Sequence, residues 1–133
     1  MSRILFFDSE HIADETYGYQ LRENGHEVVY AQTIEEFFQK LTDEFDEDNP
    51  PDLIILGIIV YSSDGGLNNG QCIVQKLTPK QLERMCILTS TMQSWVITAF
   101  QNILPRERIF SKLETSAKEF AVILETEFFN RIS

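Results

Sequence analysis

The side chains best suited to chemistry in this chain all end or follow apolar segments. Asp8 and Glu10 follow the first such segment, Thr89 ends the fourth, and Lys112 follows the fifth. Carboxylates can ligate metal ions or act as nucleophiles, and a lysine can neutralise negative charge. Any chemistry of this chain would have to be built from these residues, provided that the fold brings them together.

Alternating strand and helix patterns position these residues. Short apolar runs, typical of strands covered on both faces, lie at 3–7, 27–31, 53–56, 85–89 and 108–111. Helical patterns lie at 11–24, 33–41, 73–77, 93–103 and 115–131. Thr33 with Glu36 forms a capping box, and Thr78-Pro79 starts a brief turn. Five strand–helix units without a hairpin signal predict an α/β fold with a doubly wound, five-stranded parallel sheet and helices on both faces.

The predicted fold places the candidate site at one edge of the sheet. Ligands of such folds bind beyond the carboxyl ends of the strands. The residues that meet there are Asp8, Ser9, Glu10, Gly57, Thr89, Ser90 and Lys112. We expect any ligand or reaction to involve this short set.

Length, composition and charge exclude several classes of protein. The 133 residues correspond to a single domain, 1–133, and the 43% of hydrophobic residues exclude a disordered chain. A net charge of −10 disfavours direct binding to nucleic acid or to an anionic membrane. Cys72 and Cys86 lack metal-ligand spacing and are predicted to be small buried hydrophobes in a reducing compartment. Because no apolar run approaches about 18 residues and no signal pattern is present, we predict a cytoplasmic location.

The motifs around these positions resemble, in order, those of the receiver domain of bacterial two-component response regulators. They read FFDSE at 6–10, LRENGHEV at 21–28, PDLIILG at 51–57, ILTS at 87–90 and FSKL at 110–113. The resemblance covers essentially the whole chain. It implies the flavodoxin-like strand order 2-1-3-4-5 and a role in signal transduction.

Several positions depart from the receiver pattern. Receivers hold Mg²⁺ with two acidic residues after the first strand; Asp8 matches the first, whereas Ser9 replaces the second. The aspartate that accepts the phosphoryl group is replaced by Gly57. Lys112 is kept, and Ile109 stands at the switch position, where a tyrosine or phenylalanine is common. The resemblance therefore implies a degenerate receiver, or pseudo-receiver.

The missing carboxylates predict a site without phosphoryl chemistry. Glycine offers no nucleophile, and a single fixed carboxylate holds Mg²⁺ weakly, so Asp8 with Glu10 is a weak metal candidate and no cofactor is predicted. We expect Lys112 to pair with Asp8 across an empty pocket and Thr89 to be structural. The predicted function is a phosphorylation-independent regulatory module that acts through protein contacts and is not an enzyme.

Two alternatives stay open at the level of the sequence. Asp8, Glu10, Thr89 and Lys112 also resemble the site of haloacid-dehalogenase-like, Mg²⁺-dependent phosphatases, in which the aspartate after the first strand is the nucleophile. The late paired acids of that family are missing here, and a chain this short lacks its cap. The second alternative is the N-terminal regulatory domain of a larger transcriptional or signalling regulator.

Apolar residues outside the core stripes predict an interface. At about 100° per residue, the core stripe of the last helix contains Leu113, Ala117, Phe120, Ala121, Leu124 and Phe128. Val122 and Phe129 lie near its opposite side, and Ile97 lies outside the stripe of the helix at 93–103. In the receiver family that helix, the fifth strand and the last helix form the usual partner or dimer face. We predict a protein partner or a homodimer there, and no contact with nucleic acid or membranes.

Overall fold

A five-stranded parallel sheet forms the centre of the computed structural model, which describes residues 2–46, 48–58, 72–89, 100 and 104–129. Its strands are β1 (Arg3–Phe7), β2 (Glu27–Ala31), β3 (Leu53–Ile58), β4 (Met85–Thr89) and β5 (Ile109–Ser111). The strand order is β2-β1-β3-β4-β5, and all four pairings are parallel. The predicted doubly wound fold with strand order 2-1-3-4-5 is confirmed.

Five helices flank the sheet within the described residues. Helix α1 consists of three contiguous segments, His11–Ala13, the π-helical turn Asp14–Gly18, and Tyr19–Glu23. The others are α2 (Ile34–Asp43), α3 (72–76), α4 (Pro79–Glu83) and α5, which runs from Ala117–Ile123 into the π-helical segment Leu124–Phe129. A 3₁₀ turn, Arg106–Arg108, precedes β5.

Side-chain caps define where these helices begin. The hydroxyl of Thr33 accepts a hydrogen bond from the Glu36 N–H, and Thr78 forms a reciprocal capping box with Gln81. Both predicted starts are therefore confirmed, but at Thr33 only this half of the predicted capping box is present. The last helix starts slightly later than predicted, because Ser116 is its cap.

The core consists of two layers, one on each side of the sheet. On one side, α1 and α5 pack through Leu21, Phe120 and Leu124 against alternate residues of the central strands. On the other side, Phe37 of α2 and Ile73 of α3 cover the remaining strand residues. Strands covered on both faces explain why the apolar runs in the sequence are continuous rather than alternating.

The structure corrects the predicted position of Leu113. The core stripe of the last helix is otherwise present, but Leu113 is 84% exposed. It lies in the turn before the Ser116 cap, where helical periodicity no longer applies. Leu113 is therefore an exposed apolar residue beside the carboxyl ends of the strands.

The acidic segment at 42–51 also contributes a residue to the core. Phe45 within it is only 3% exposed and belongs to the core. The Arg3 guanidinium lies 4.4 Å above its ring and also donates to the Glu44 carbonyl at 2.8 Å. Phe45 therefore attaches this segment to the sheet although its neighbours are charged.

Several predicted features lie outside the described residues. They are Ser90, the helix at 93–103 apart from the buried Phe100, and the side chain of Phe129. Both cysteines are described: Cys86 is buried as predicted, whereas Cys72 is half-buried. In the described part of the chain, no helix is long and apolar enough to cross a membrane.

Candidate functional site

The ends of four strands bring the candidate residues together. Asp8 directly follows β1, Gly57 lies near the end of β3, Thr89 ends β4, and Lys112 directly follows β5. The register pairs Phe7 with Leu56, so Asp8 comes level with Gly57 on the neighbouring strand. This arrangement is the one that the parallel topology predicts.

The Asp8 side chain is fully buried, and both of its oxygens are engaged. Lys112 Nζ donates to Oδ2 at 2.6 Å, and the Glu10 backbone N–H donates to Oδ1 at 2.8 Å. The main chain is also held, since the Tyr30 hydroxyl donates to the Asp8 carbonyl at 2.6 Å. The expected ion pair is present, with the carboxylate inside the protein and the lysine side chain 16% exposed.

The space beside Gly57, which was expected to be empty, is filled by Asp8. A Cβ atom on residue 57 would overlap Asp8 Oδ2 and would lie only 2.5 Å from its Cγ and 2.8 Å from its Cβ. Real side chains do not approach so closely, so no residue other than glycine fits here while Asp8 keeps this position. Gly57 thus makes room for the buried Asp8–Lys112 ion pair.

Burial and charge act in opposite directions on Asp8. Burial raises the pKa of its carboxyl group above the ordinary value, while the Lys112 ammonium and the Glu10 N–H offset part of that increase. The pKa of Tyr30 is also raised, by burial and by the nearby carboxylates of Asp8, Asp14 and Glu36. Tyr30 therefore stays a neutral hydroxyl that donates to the Asp8 carbonyl.

The turn that carries Lys112 is fixed to its surroundings. The Lys112 N–H donates to the Thr89 carbonyl at 2.8 Å, while Thr89 itself is buried. The Tyr17 hydroxyl on α1 lies 3.1 Å from the Lys112 carbonyl and 2.6 Å from the Thr115 carbonyl. Ser111 Oγ accepts from the Leu113 N–H at 3.1 Å. These hydrogen bonds fix the backbone from which the Lys112 side chain extends to Asp8.

The remaining candidates lie around this pair rather than in it. Ser9 and Glu10 are exposed, and the Ser9 carbonyl accepts a hydrogen bond from Gln32 at 3.2 Å. Ile109, at the switch position, is 2% exposed and belongs to the core on the α2 side of the sheet. Val122 is 58% exposed, whereas Ile97 and the Phe129 side chain lie outside the description.

These residues do not fit a Mg²⁺ ion. The described residues contain no group of three carboxylate, histidine or cysteine side chains that could hold a metal. At the strand ends, one buried carboxylate is present, and its two oxygens already accept hydrogen bonds from Lys112 and Glu10. Mg²⁺ needs oxygen ligands in an octahedral arrangement and would have to displace the lysine from Asp8.

Sequence reasoning missed two tyrosines that hold the site together. Tyr17 and Tyr30 place apolar rings against the core and extend their hydroxyls to backbone carbonyls at the strand ends. A tyrosine at a core-facing position of an amphipathic helix indicates that its hydroxyl needs a partner. That signal could have identified Tyr17, although not which carbonyls it would meet.

Comparisons with known proteins agree with the fold. No protein-family profile matches the chain, and no curated protein does. Among solved structures, the receiver domain of the Francisella response regulator 1452 matches with a TM-score of 0.73 and 15% identity over 100% of both chains. A response regulator receiver domain protein from Clostridium thermocellum matches with a TM-score of 0.72 and 19% identity, over 98% of this chain and 96% of that one. NtrX from Brucella abortus matches with a TM-score of 0.73 and 14% identity, over 98% of this chain and 27% of that one. The chain therefore has a receiver-like fold.

Proposed function

We propose that this receiver-like domain is a pseudo-receiver, a two-component signalling module that acts through protein contacts without being phosphorylated, and that it is not an enzyme. One observation carries the proposal: the Asp8 carboxyl fills the space beside Gly57 and is paired with Lys112. A phosphoryl group would need that same space and that same lysine. The Asp8 carboxylate therefore takes the space and the lysine partner that an added phosphoryl group would need.

The chemistry of the strand ends supports this proposal. A carboxylate must reach a phosphoryl donor to attack it, whereas Asp8 is fully buried and both of its oxygens accept hydrogen bonds. Glu10 is exposed on the surface. The described residues contain no group of three or more Asp, Glu, His or Cys side chains that could hold a metal ion.

Incubation with acetyl phosphate and Mg²⁺ is expected to leave the protein unmodified, because no accessible carboxylate faces a metal site. Intact-mass spectrometry measures this directly, and beryllofluoride should leave the amide spectrum unchanged. A receiver domain with an intact acceptor aspartate, treated in parallel, controls for the reagents. A stoichiometric phosphoryl adduct at Asp8 or elsewhere would refute the proposal.

Mg²⁺-dependent hydrolysis of p-nitrophenyl phosphate is expected to stay at the rate of buffer alone. The reason is again the buried position of Asp8, the only nucleophile that the phosphatase alternative provides. The matched control is Asp8→Asn. If the wild-type protein hydrolyses the ester and this variant does not, the domain is an enzyme and the proposal is wrong.

Partner binding is proposed through exposed apolar residues of the last helix. The proposed partner or homodimer face comprises the predicted helix at 93–103 with Ile97, strand β5, and α5 with Val122 and Phe129. Val122 supports it, since this valine is exposed on a helix whose other side is buried in the core. The match to only 27% of NtrX supports the alternative that such a domain is one part of a larger regulator. We propose a cytoplasmic location and no nucleic-acid contact, as the net charge of −10 suggests.

A further inference from the structure

We propose that the outer surface shared by α1 and α5 binds a basic amphipathic helix of a partner protein. We call this surface, which includes Ile12, Tyr19 and Val122, the α1–α5 surface. The inference rests on the proposed function, that the domain acts through protein contacts, and it names both a surface and a class of partner. Ile12, Tyr19 and Val122 are 62%, 57% and 58% exposed, and they are three of the four large apolar side chains that are exposed in the described residues.

The three apolar residues belong to two helices that pack side by side. The rings of Tyr17 on α1 and Phe120 on α5 meet edge to face at 5.7 Å. Beyond the end of α1, Asn24 donates to the Glu125 carboxylate of α5 at 3.0 Å. The α1–α5 surface is therefore a continuous layer over one side of the sheet.

The exposed residues lie off the buried faces of their helices. Ile12 and Tyr19 stand on either side of the π-helical turn Asp14–Gly18, and both lie off the buried positions Ala13, Tyr17 and Leu21 of α1. Val122 lies three residues before Glu125, and so on an adjoining turn of α5. The layer therefore exposes three large apolar side chains, which a partner helix with apolar residues at i, i+3, i+4 and i+7 can cover.

The net negative charge of helices α1 and α5 indicates that the partner is basic. Helices α1 and α5 contain six carboxylates and two basic side chains, Arg22 and Lys118. Arg22 is already paired with Asp14 at 3.0 Å. The surplus of four negative charges surrounds the three exposed apolar side chains, and four of the six carboxylates are exposed.

These observations favour one occupant over the others. A second copy of the chain would bring two such acidic layers into contact, and like charges would repel it. Nucleic acid and anionic lipid are repelled for the same reason. A helix with lysine or arginine beside an apolar stripe matches both the exposed side chains and the charge.

Two synthetic peptides test the proposal on the full chain. Both have the same leucine and lysine composition and about 18 residues, five helical turns. One places leucine at i, i+3, i+4 and i+7, and the other distributes leucine around the helix. We expect the amphipathic peptide to bind about tenfold more tightly by isothermal titration calorimetry, because only it buries apolar area. Amide shifts should change in residues 12–23 and 117–126.

Variants of the protein locate the contact. The Tyr19→Ser/Val122→Ser double variant should bind the amphipathic peptide about tenfold more weakly, while Leu113→Ser, which removes an exposed leucine outside the α1–α5 surface, should bind it unchanged. Equal affinity for the two peptides, shifts on another part of the molecule, or no effect of the double variant would overturn the inference. A wild-type dimer in sedimentation equilibrium that Val122→Ser dissociates would also overturn it, in favour of a second copy. A phosphoryl adduct would instead refute the proposed function, so the two failures are distinguishable.

Discussion

Replacing Lys112 by methionine is expected to lower the free energy of unfolding by about 3–5 kcal/mol at pH 8, because it leaves the buried Asp8 carboxylate unpaired. Methionine keeps the apolar stem of the side chain and removes its ammonium group. The measurement is urea unfolding at pH 8 and pH 5. Lys118→Met, at an exposed lysine of α5, is the matched control and should change stability by less than about 0.5 kcal/mol.

The effect of Lys112→Met should be smaller at pH 5. Burial raises the pKa of Asp8 above its usual 3.8, so the folded protein holds this proton more tightly than the unfolded chain does. The contribution of this group to stability is therefore complete below pH 3.8 and is lost as the pH rises through the folded-state pKa. Without the lysine that pKa rises further, and a protonated Asp8 needs no counter-charge at pH 5.

Removing both charges should recover most of the loss. The Asp8→Asn/Lys112→Met double variant leaves no buried charge, and its amide can still accept from the Glu10 N–H. It should be more stable than Lys112→Met at pH 8. If Lys112→Met matches the wild-type midpoint at both pH values, the ion pair does not hold the strand ends together.

Gly57→Ala is expected to cost about 3 kcal/mol or more, because its Cβ atom would occupy the position of the Asp8 carboxyl. Asp8 would have to leave its place and release Lys112. The matched control is Gly25→Ala: its φ of 92° makes the substitution strained, but no atom lies within 4 Å of the added Cβ. That control should cost only about 1 kcal/mol.

Exchanging the two residues gives a sharper form of the same test. Gly57→Asp alone places two carboxylates in one buried volume and should be at least as destabilising as Gly57→Ala. The Asp8→Gly/Gly57→Asp variant moves the single carboxylate from β1 to β3, where Lys112 can still meet it. Thermal melting should show the double variant above the single one. The steric account fails if Gly57→Ala melts with the wild-type protein.

The fold was predictable because its signals are local. Continuous apolar runs indicated strands covered on both faces, and capping residues such as Thr33 and Thr78 indicated helix starts. The five parallel strands then determined which residues meet at the strand ends. Leu113 was placed wrongly because periodicity was extended past the Ser116 cap, where the backbone stops being helical.

The details of the site were harder to predict from the sequence, because they depend on contacts between segments that are distant in the chain. The position of the Asp8 carboxyl depends on the missing Cβ at Gly57, forty-nine residues later in the chain. The hydroxyls of Tyr17 and Tyr30 bind backbone carbonyls, and residue types do not encode those partners. The sequence therefore predicted which residues meet at the strand ends, but not that the Asp8 side chain fills the space beside Gly57.

The buried thiol of Cys86 can report how often the core layer between the sheet and helices α1 and α5 opens. Cys86 lies in β4 opposite Ile55 of β3, is fully buried, and has a pKa raised by that burial. Alkylating reagents attack the thiolate, and the Cys86 side chain lies in the core layer under α1 and α5, so it reacts when that layer opens. Half-buried Cys72 provides a second, separate thiol for comparison. The rate at which iodoacetamide labels Cys86 therefore counts opening events in native buffer, without denaturant or an introduced probe.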